Sequence, residues 1–153
     1  MGTRLKNKKL DKIDDFMTKW MASKGTLLLR ISIGVIFFWF GILKYFEGLS
    51  PAEDIAIKTI KALTLNQVSN KIIIYVLASW EVLIGIGLLF NVFMRVTLLL
   101  LFFQMIGTFT PLFLFTSEIF MVFPISLTLE GQYIVKNIVI VSAGIVLGST
   151  VRK

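Results

Sequence analysis

Long apolar stretches broken by single charges dominate this sequence. Between Arg30 and Glu47 the only charged residue is Lys44, and between Lys71 and Arg95 it is Glu81. Val96 to Ser117 carries no charge at all, and Gly131 to Val151 carries only Lys136. A bilayer core of about 30 Å is crossed by about 20 helical residues. The pattern therefore predicts four spanning helices near residues 26–46, 71–93, 95–116 and 132–150.

The polar flanks predict two further helices. Residues 9–23 place Leu10, Ile13, Phe16, Met17, Trp20 and Met21 on one helical face, with lysines and Asp11, Asp14 and Asp15 opposite. That is the pattern of an interfacial helix with its basic side toward anionic lipid; a solvated helix packed on a protein partner is the alternative. Ser50-Pro51-Ala52-Glu53 is a helix start, with Ser50 as cap, Pro51 in the first turn and Glu53 closing a capping box. Its apolar stripe of Ala52, Ala56, Ile60 and Leu63 predicts a short lid ending near Leu65. The expected fold is all-α: an N-terminal amphipathic segment over 1–25, then a four-helix transmembrane bundle over 26–150 with a short outer-side helix.

Composition sharpens this picture. Of 153 residues 56% are apolar and only 16% charged, with mean hydropathy +0.85. A soluble domain carries about a quarter of its residues charged, so the apolar excess must face lipid. There is no Cys and no His. That removes disulfides, thiolate and imidazole metal sites, CxxC chemistry and the usual neutral-pH acid or base, and no metal is expected. No phosphate loop, dinucleotide fingerprint or nucleophile elbow occurs either.

The net charge of +7 becomes informative once the charges are located. Four spans put both ends of the chain on one side. That side, with the 91–95 turn, holds Arg4, Lys6, Lys8, Lys9, Lys12, Lys19, Lys24, Arg30, Arg95, Arg152 and Lys153, eleven of the sixteen basic residues. The opposite loops hold only Lys58, Lys61 and Lys71. The positive-inside rule then predicts cytoplasmic termini, with Tyr45, Tyr75 and Tyr133 forming an outer aromatic belt. No signal peptide is read at the start of the chain. The bilayer, rather than nucleic acid, is the expected partner of the basic segment, because three acids interleave its lysines.

Polar groups inside the spans are the candidate site. Glu81 lies ten residues past Lys71, about 15 Å deep at 1.5 Å per residue. A carboxylate there costs about 2.5–3.5 kcal/mol to insert, so it should face the bundle and hold a partner, or be protonated. Ala78, Glu81 and Gly85 share a face that lets another helix approach closely. Matching stripes are Gly34, Gly41 and Lys44 in the first span, Thr97, Gln104, Thr108 and Pro111 in the third, and Lys136, Asn137, Ala143 and Gly144 in the fourth. Depth alone gives Glu81 two candidate partners, Lys44 and Lys136. The cluster reads first as a structural ion pair, next as a pocket for a ligand, quinone head group or proton, and last as a subunit contact. As a pocket it would open outward over Glu81, with Lys44, Gln104, Lys136 and Asn137 donating to an acceptor-rich quinone head group. Trp80 reads either as packing or as a platform for a flat ligand. Pro111 should kink the third span, with Thr108 or Thr110 satisfying the freed groups.

Five motifs carry a family likeness. Trp39-Phe40-Gly41-Ile42-Leu43-Lys44, Gly48-Leu49-Ser50-Pro51-Ala52-Glu53-Asp54, Trp80-Glu81 with Gly85 and Gly87, Gly107-Thr108-Phe109-Thr110-Pro111, and Leu129-Glu130-Gly131-Gln132-Tyr133-Ile134-Val135-Lys136-Asn137 occur in this order. Together they resemble the DoxX-like family of small four-helix bacterial membrane proteins over about 26–150. The resemblance implies a link to quinone-dependent membrane chemistry, since the family includes a subunit of a thiosulfate:quinone oxidoreductase and proteins tied to membrane redox stress. Related quinone-linked bundles carry redox cysteines that are missing here. The resemblance assigns no catalytic residue. It implies an accessory or binding subunit of a membrane complex, with or without self-association. The alternatives are a component of an oxidoreductase that binds quinone itself, and a small proton-coupled carrier using Glu81.

Overall fold

The four apolar stretches are helical and pack as a bundle. The computed structural model describes residues 8–46, 48–50 and 53–152. Arg4, Lys6, Glu47, Pro51, Ala52 and Lys153 lie outside the described residues. The elements, in order, are α1 (Lys8–Leu43), α2 (Glu53–Leu63), α3 (Asn70–Phe90), α4 (Met94–Phe109), α5 (Pro111–Leu114), α6 (Thr116–Ile119), β1 (Phe120–Val122), β2 (Ser126–Leu127), α7 (Leu129–Lys136) and α8 (Ile138–Gly148). Four helical stretches are long and apolar enough to cross a membrane: Leu10–Leu43, Asn70–Phe90, Met94–Leu114 and Leu129–Gly148. Large apolar side chains such as Trp39, Leu83, Phe103, Ile106 and Val139 point outward from them, each more than half exposed. The chain is a multi-pass membrane protein, and its outer surface is built for lipid.

The core runs along the bundle axis. Ile33 and Phe37 of α1, Ile84 and Leu88 of α3, Leu98, Leu101 and Met105 of α4, and Ala143 and Leu147 of α8 form one buried cluster. A smaller cluster at the other end joins Ile55, Ile119 and Ile134. The tightest pairing is between α1 and α3, which run antiparallel. A Cβ at Gly85 would sit 2.5 Å from the Phe38 backbone nitrogen, and one at Gly41 would sit 2.8 Å from that of Val82. Two backbones this close leave no room for a side chain between them, as small-residue packing in membranes requires.

Several details differ from the sequence reading. The amphipathic segment is helical, but it runs into the first span without a break, giving one helix of 36 residues. Gly25 alone cannot stop it: a mid-helix glycine costs only about 1 kcal/mol relative to alanine, and no proline follows. In α2 the buried residues are Ile55 and Thr59, while Leu63 is exposed. The helix is thus rotated by about one position from the Ala52-Ala56-Ile60-Leu63 stripe, because Ile55 fits the small core of Ile119 and Ile134.

Pro111 interrupts the third span for one residue, and Thr110 keeps helical angles (φ −54°, ψ −40°). The freed carbonyl of Gly107 accepts from the backbone N–H of Thr110 at 3.3 Å. The hydroxyls of Thr108 and Thr110 bond instead to the carbonyls of Gln104 and Ile106. The fourth span starts earlier than expected, at Leu129, where Thr128 caps the helix by accepting from the Gly131 N–H, and it is notched at Asn137. Between α6 and α7 lies an unanticipated β-hairpin, with Phe120 opposite Leu127 and Val122 opposite Ser126.

Candidate functional site

Glu81 lies midway along α3, on the face that α1 and α4 cover. Gly41 and Gly85 bring α1 so close that Lys44, just past the C-terminal end of α1, reaches the carboxylate. Lys44 Nζ donates to Glu81 Oε2 at 2.6 Å, and the two side chains are only 10% and 12% exposed. From α4, Gln104 Nε2 donates to Glu81 Oε1 at 2.9 Å. Both carboxylate oxygens are thereby used, and three helices are tied at one depth. A carboxylate with an ammonium and an amide as donors satisfies the rule that buried charges are paired and hydrogen-bonded.

The remaining candidates do not join this triad. Trp80 turns to α4, where its Nε1 donates to the carbonyl of Leu100 at 3.1 Å, and its ring packs on the core. It is packing rather than a platform. The hydroxyl of Thr108 is spent on its own helix, on the Gln104 carbonyl. Lys136 is exposed, with Nζ 5.8 Å from the centroid of the Tyr133 ring. Asn137 is half-buried at the notch between α7 and α8. Of the two lysines at the right depth, Lys44 is the one that meets Glu81. Tyr45 and Tyr75 come together, their ring centroids 5.8 Å apart, with the Tyr45 hydroxyl 2.7 Å from Ser79 Oγ.

A quinone head group would need Lys44, Gln104, Lys136 and Asn137 to converge on one void. Lys44 and Gln104 are committed to Glu81, and Lys136 lies over Tyr133. In this arrangement the four residues do not fit a quinone. The two described cavities sit instead at the two ends of the bundle. One, about 620 Å³, lies beside α2 and is lined by Glu53, Asp54, Lys58, Glu118 and Glu130 among others. Lys58 Nζ crosses it to Glu118 Oε2 at 2.7 Å. The hydrogen bond and charge of Glu118 hold the Lys58 ammonium above its usual range. Among the described residues no group of three or more acidic side chains is placed to hold a metal ion.

Sequence reasoning missed a second polar tie between α1 and α3. Arg30, counted above only among the basic residues on the side of the termini, donates through Nη1 to the carbonyls of Leu88 and Leu89, the latter at 3.2 Å. These are among the last carbonyls of α3, which lack helical partners and carry partial negative charge. The signal was present in the sequence: an arginine near the start of one span faces the end of its antiparallel neighbour.

The family model described as DoxX matches residues 25–117. The chain belongs to the DoxX family. No curated protein and no solved structure matches it. The matched segment contains Lys44, Trp80, Glu81, Gln104 and Thr108, so all three members of the triad fall inside the DoxX region. Lys136 and Asn137 fall outside it, and so does the whole fourth span. The amphipathic end of α1 precedes it.

Proposed function

We propose that this DoxX-family chain is an accessory subunit of a quinone-linked redox assembly in a bacterial cytoplasmic membrane, with both termini on the cytoplasmic side. The observation that carries the reading is the closed triad: both oxygens of Glu81 are satisfied from within the chain by Lys44 and Gln104. A carboxylate so satisfied holds α1, α3 and α4 in register and keeps neither of its oxygens for a substrate. The chain also has no thiol to carry electrons and no thiolate or imidazole to hold a redox metal. On this reading electron transfer, and any quinone, belong to the partner. Eleven of sixteen basic residues on the side of the termini support the orientation.

Purification of the tagged full chain in mild detergent tests the proposal. A stoichiometric membrane partner with redox activity is the expected result. Quinone retained by the chain alone would overturn it in favour of an oxidoreductase component. Proton-coupled uptake by the chain alone in liposomes would overturn it in favour of a carrier.

A further inference from the structure

The second cavity lies at the opposite end of the bundle from α2, between the start of α4 and the end of α8. It is a groove of about 300 Å³ whose walls are Leu98, Leu99, Phe102 and Val151, with Arg95 and Arg152 also lining it. Gly148 forms part of the lining without a side chain; a Cβ there would meet only Leu98 Cδ1, at 3.8 Å. Arg95 and Arg152 are both exposed, and neither takes part in an ion pair among the described residues. Among the described residues no carboxylate lines the groove.

We infer that this groove binds one anionic phospholipid, its phosphate between Arg95 and Arg152 and an acyl chain along Leu98, Leu99, Phe102 and Gly148. Position and charge both favour that occupant. Arg95 is the second residue of α4, and Arg152 follows α8 by four residues, so both stand at helix ends, at head-group level. Everything deeper in the groove is apolar. The start of a helix adds partial positive charge from its unpaired N–H groups. Guanidinium forks match phosphate oxygens, and basic pockets between spans are a recurrent way of holding anionic head groups. A free phosphate would use the arginines and leave the apolar walls bare. A zwitterionic lipid would fill the walls but bring its own cation to the arginines.

The test is native mass spectrometry of the delipidated full chain in detergent, titrated with phosphatidylglycerol or with phosphatidylcholine of the same acyl chains. At about fivefold per basic residue near the head groups, two arginines give roughly a thirtyfold preference for phosphatidylglycerol. The Arg95→Gln/Arg152→Gln variant should lose that preference, and Gly148→Leu, which fills the groove but keeps both arginines, should weaken retention of both lipids. Equal retention of the two lipids by the native chain would overturn the inference, as would phosphatidylglycerol retention unchanged in either variant. Displacement of the lipid by millimolar inorganic phosphate would show an anion site without an acyl groove. Self-association abolished by the double arginine variant, with no change in lipid retention, would assign the groove to a second copy instead.

Discussion

Replacing Glu81 by glutamine keeps its size and its ability to accept from Gln104, and removes only the charge. What is then left is the ammonium of Lys44, 10% exposed and previously 2.6 Å from its counter-charge. Two effects compete for the magnitude. Side-chain hydrogen bonds between membrane helices average about 0.6 kcal/mol and reach about 1.7 at most. Stranding one member of a buried ion pair costs about 3–5 kcal/mol. The hydrogen bond from Gln104 survives the substitution, so the stranded charge decides. Glu81→Gln should lower stability by about 3–5 kcal/mol in equilibrium unfolding with a denaturing detergent. Lys44→Met should do comparable harm by stranding the carboxylate. The double variant should recover roughly 2–4 kcal/mol of the summed losses, because an apolar replacement leaves no charge behind. Lys136→Met combined with Glu81→Gln serves as the control and should be additive to within about 0.5 kcal/mol. Additive losses for Glu81→Gln with Lys44→Met would refute the pairing and, with it, the structural role given to the triad.

Gly85→Ala, which drives a methyl into the Phe38 backbone, should destabilise by about 1–3 kcal/mol or more, whereas Gly107→Ala, with nothing within 4 Å, should stabilise by up to about 1 kcal/mol; thermal unfolding in detergent reads both signs. Cysteines introduced at Lys61 and Thr128 should react with an impermeant thiol reagent on intact spheroplasts and one at Lys24 should not, on a background free of native cysteine. The Lys58–Glu118 link raises the Lys58 pKa above the ordinary 10.5, so its contribution is complete below pH 10.5 and is lost as pH rises through the higher folded value. The difference in unfolding midpoint between the native chain and Lys58→Met should accordingly stay constant from pH 6 to 9 (a range far below 10.5) and close only in strong alkali.

The spans were legible because twenty apolar residues in a row have few alternatives, and the triad was legible because Glu81, Gly85, Gly41 and Lys44 repeat at helical spacing. The choice between Lys44 and Lys136 was not. Counting residues gives height in the membrane, but which way a side chain points around its helix depends on packing, and Gly41 against Val82 settles that for Lys44 alone. The Gly107 carbonyl freed by Pro111 takes the Thr110 N–H, and the Thr110 hydroxyl, one of the two expected, takes the Ile106 carbonyl. The hairpin over 120–127 was illegible for another reason. Phe120-Met121-Val122-Phe123-Pro124-Ile125 is a continuous apolar run with no alternation, and strands of three and two residues leave no period to detect. Arg30 was visible but misjudged, since the helix end that receives it is 58 residues further along the chain.

At 1.5 Å per residue, α1 is about 54 Å long, against a hydrocarbon core of about 30 Å. Nothing between Lys8 and Leu43 leaves helical conformation, so α1 is a shaft without a joint. One end, with Leu10, Ile13, Phe16 and Trp20 uncovered, is a handle; the other is keyed to α3 by Gly34, Gly41 and Lys44. A turn applied to the handle by any neighbour is delivered, through backbone rather than through loops, to the depth of Glu81. Gly25 is exposed, and a methyl added there would meet nothing within 4 Å. The same geometry that makes the triad rigid also gives it a lever arm reaching beyond the bilayer.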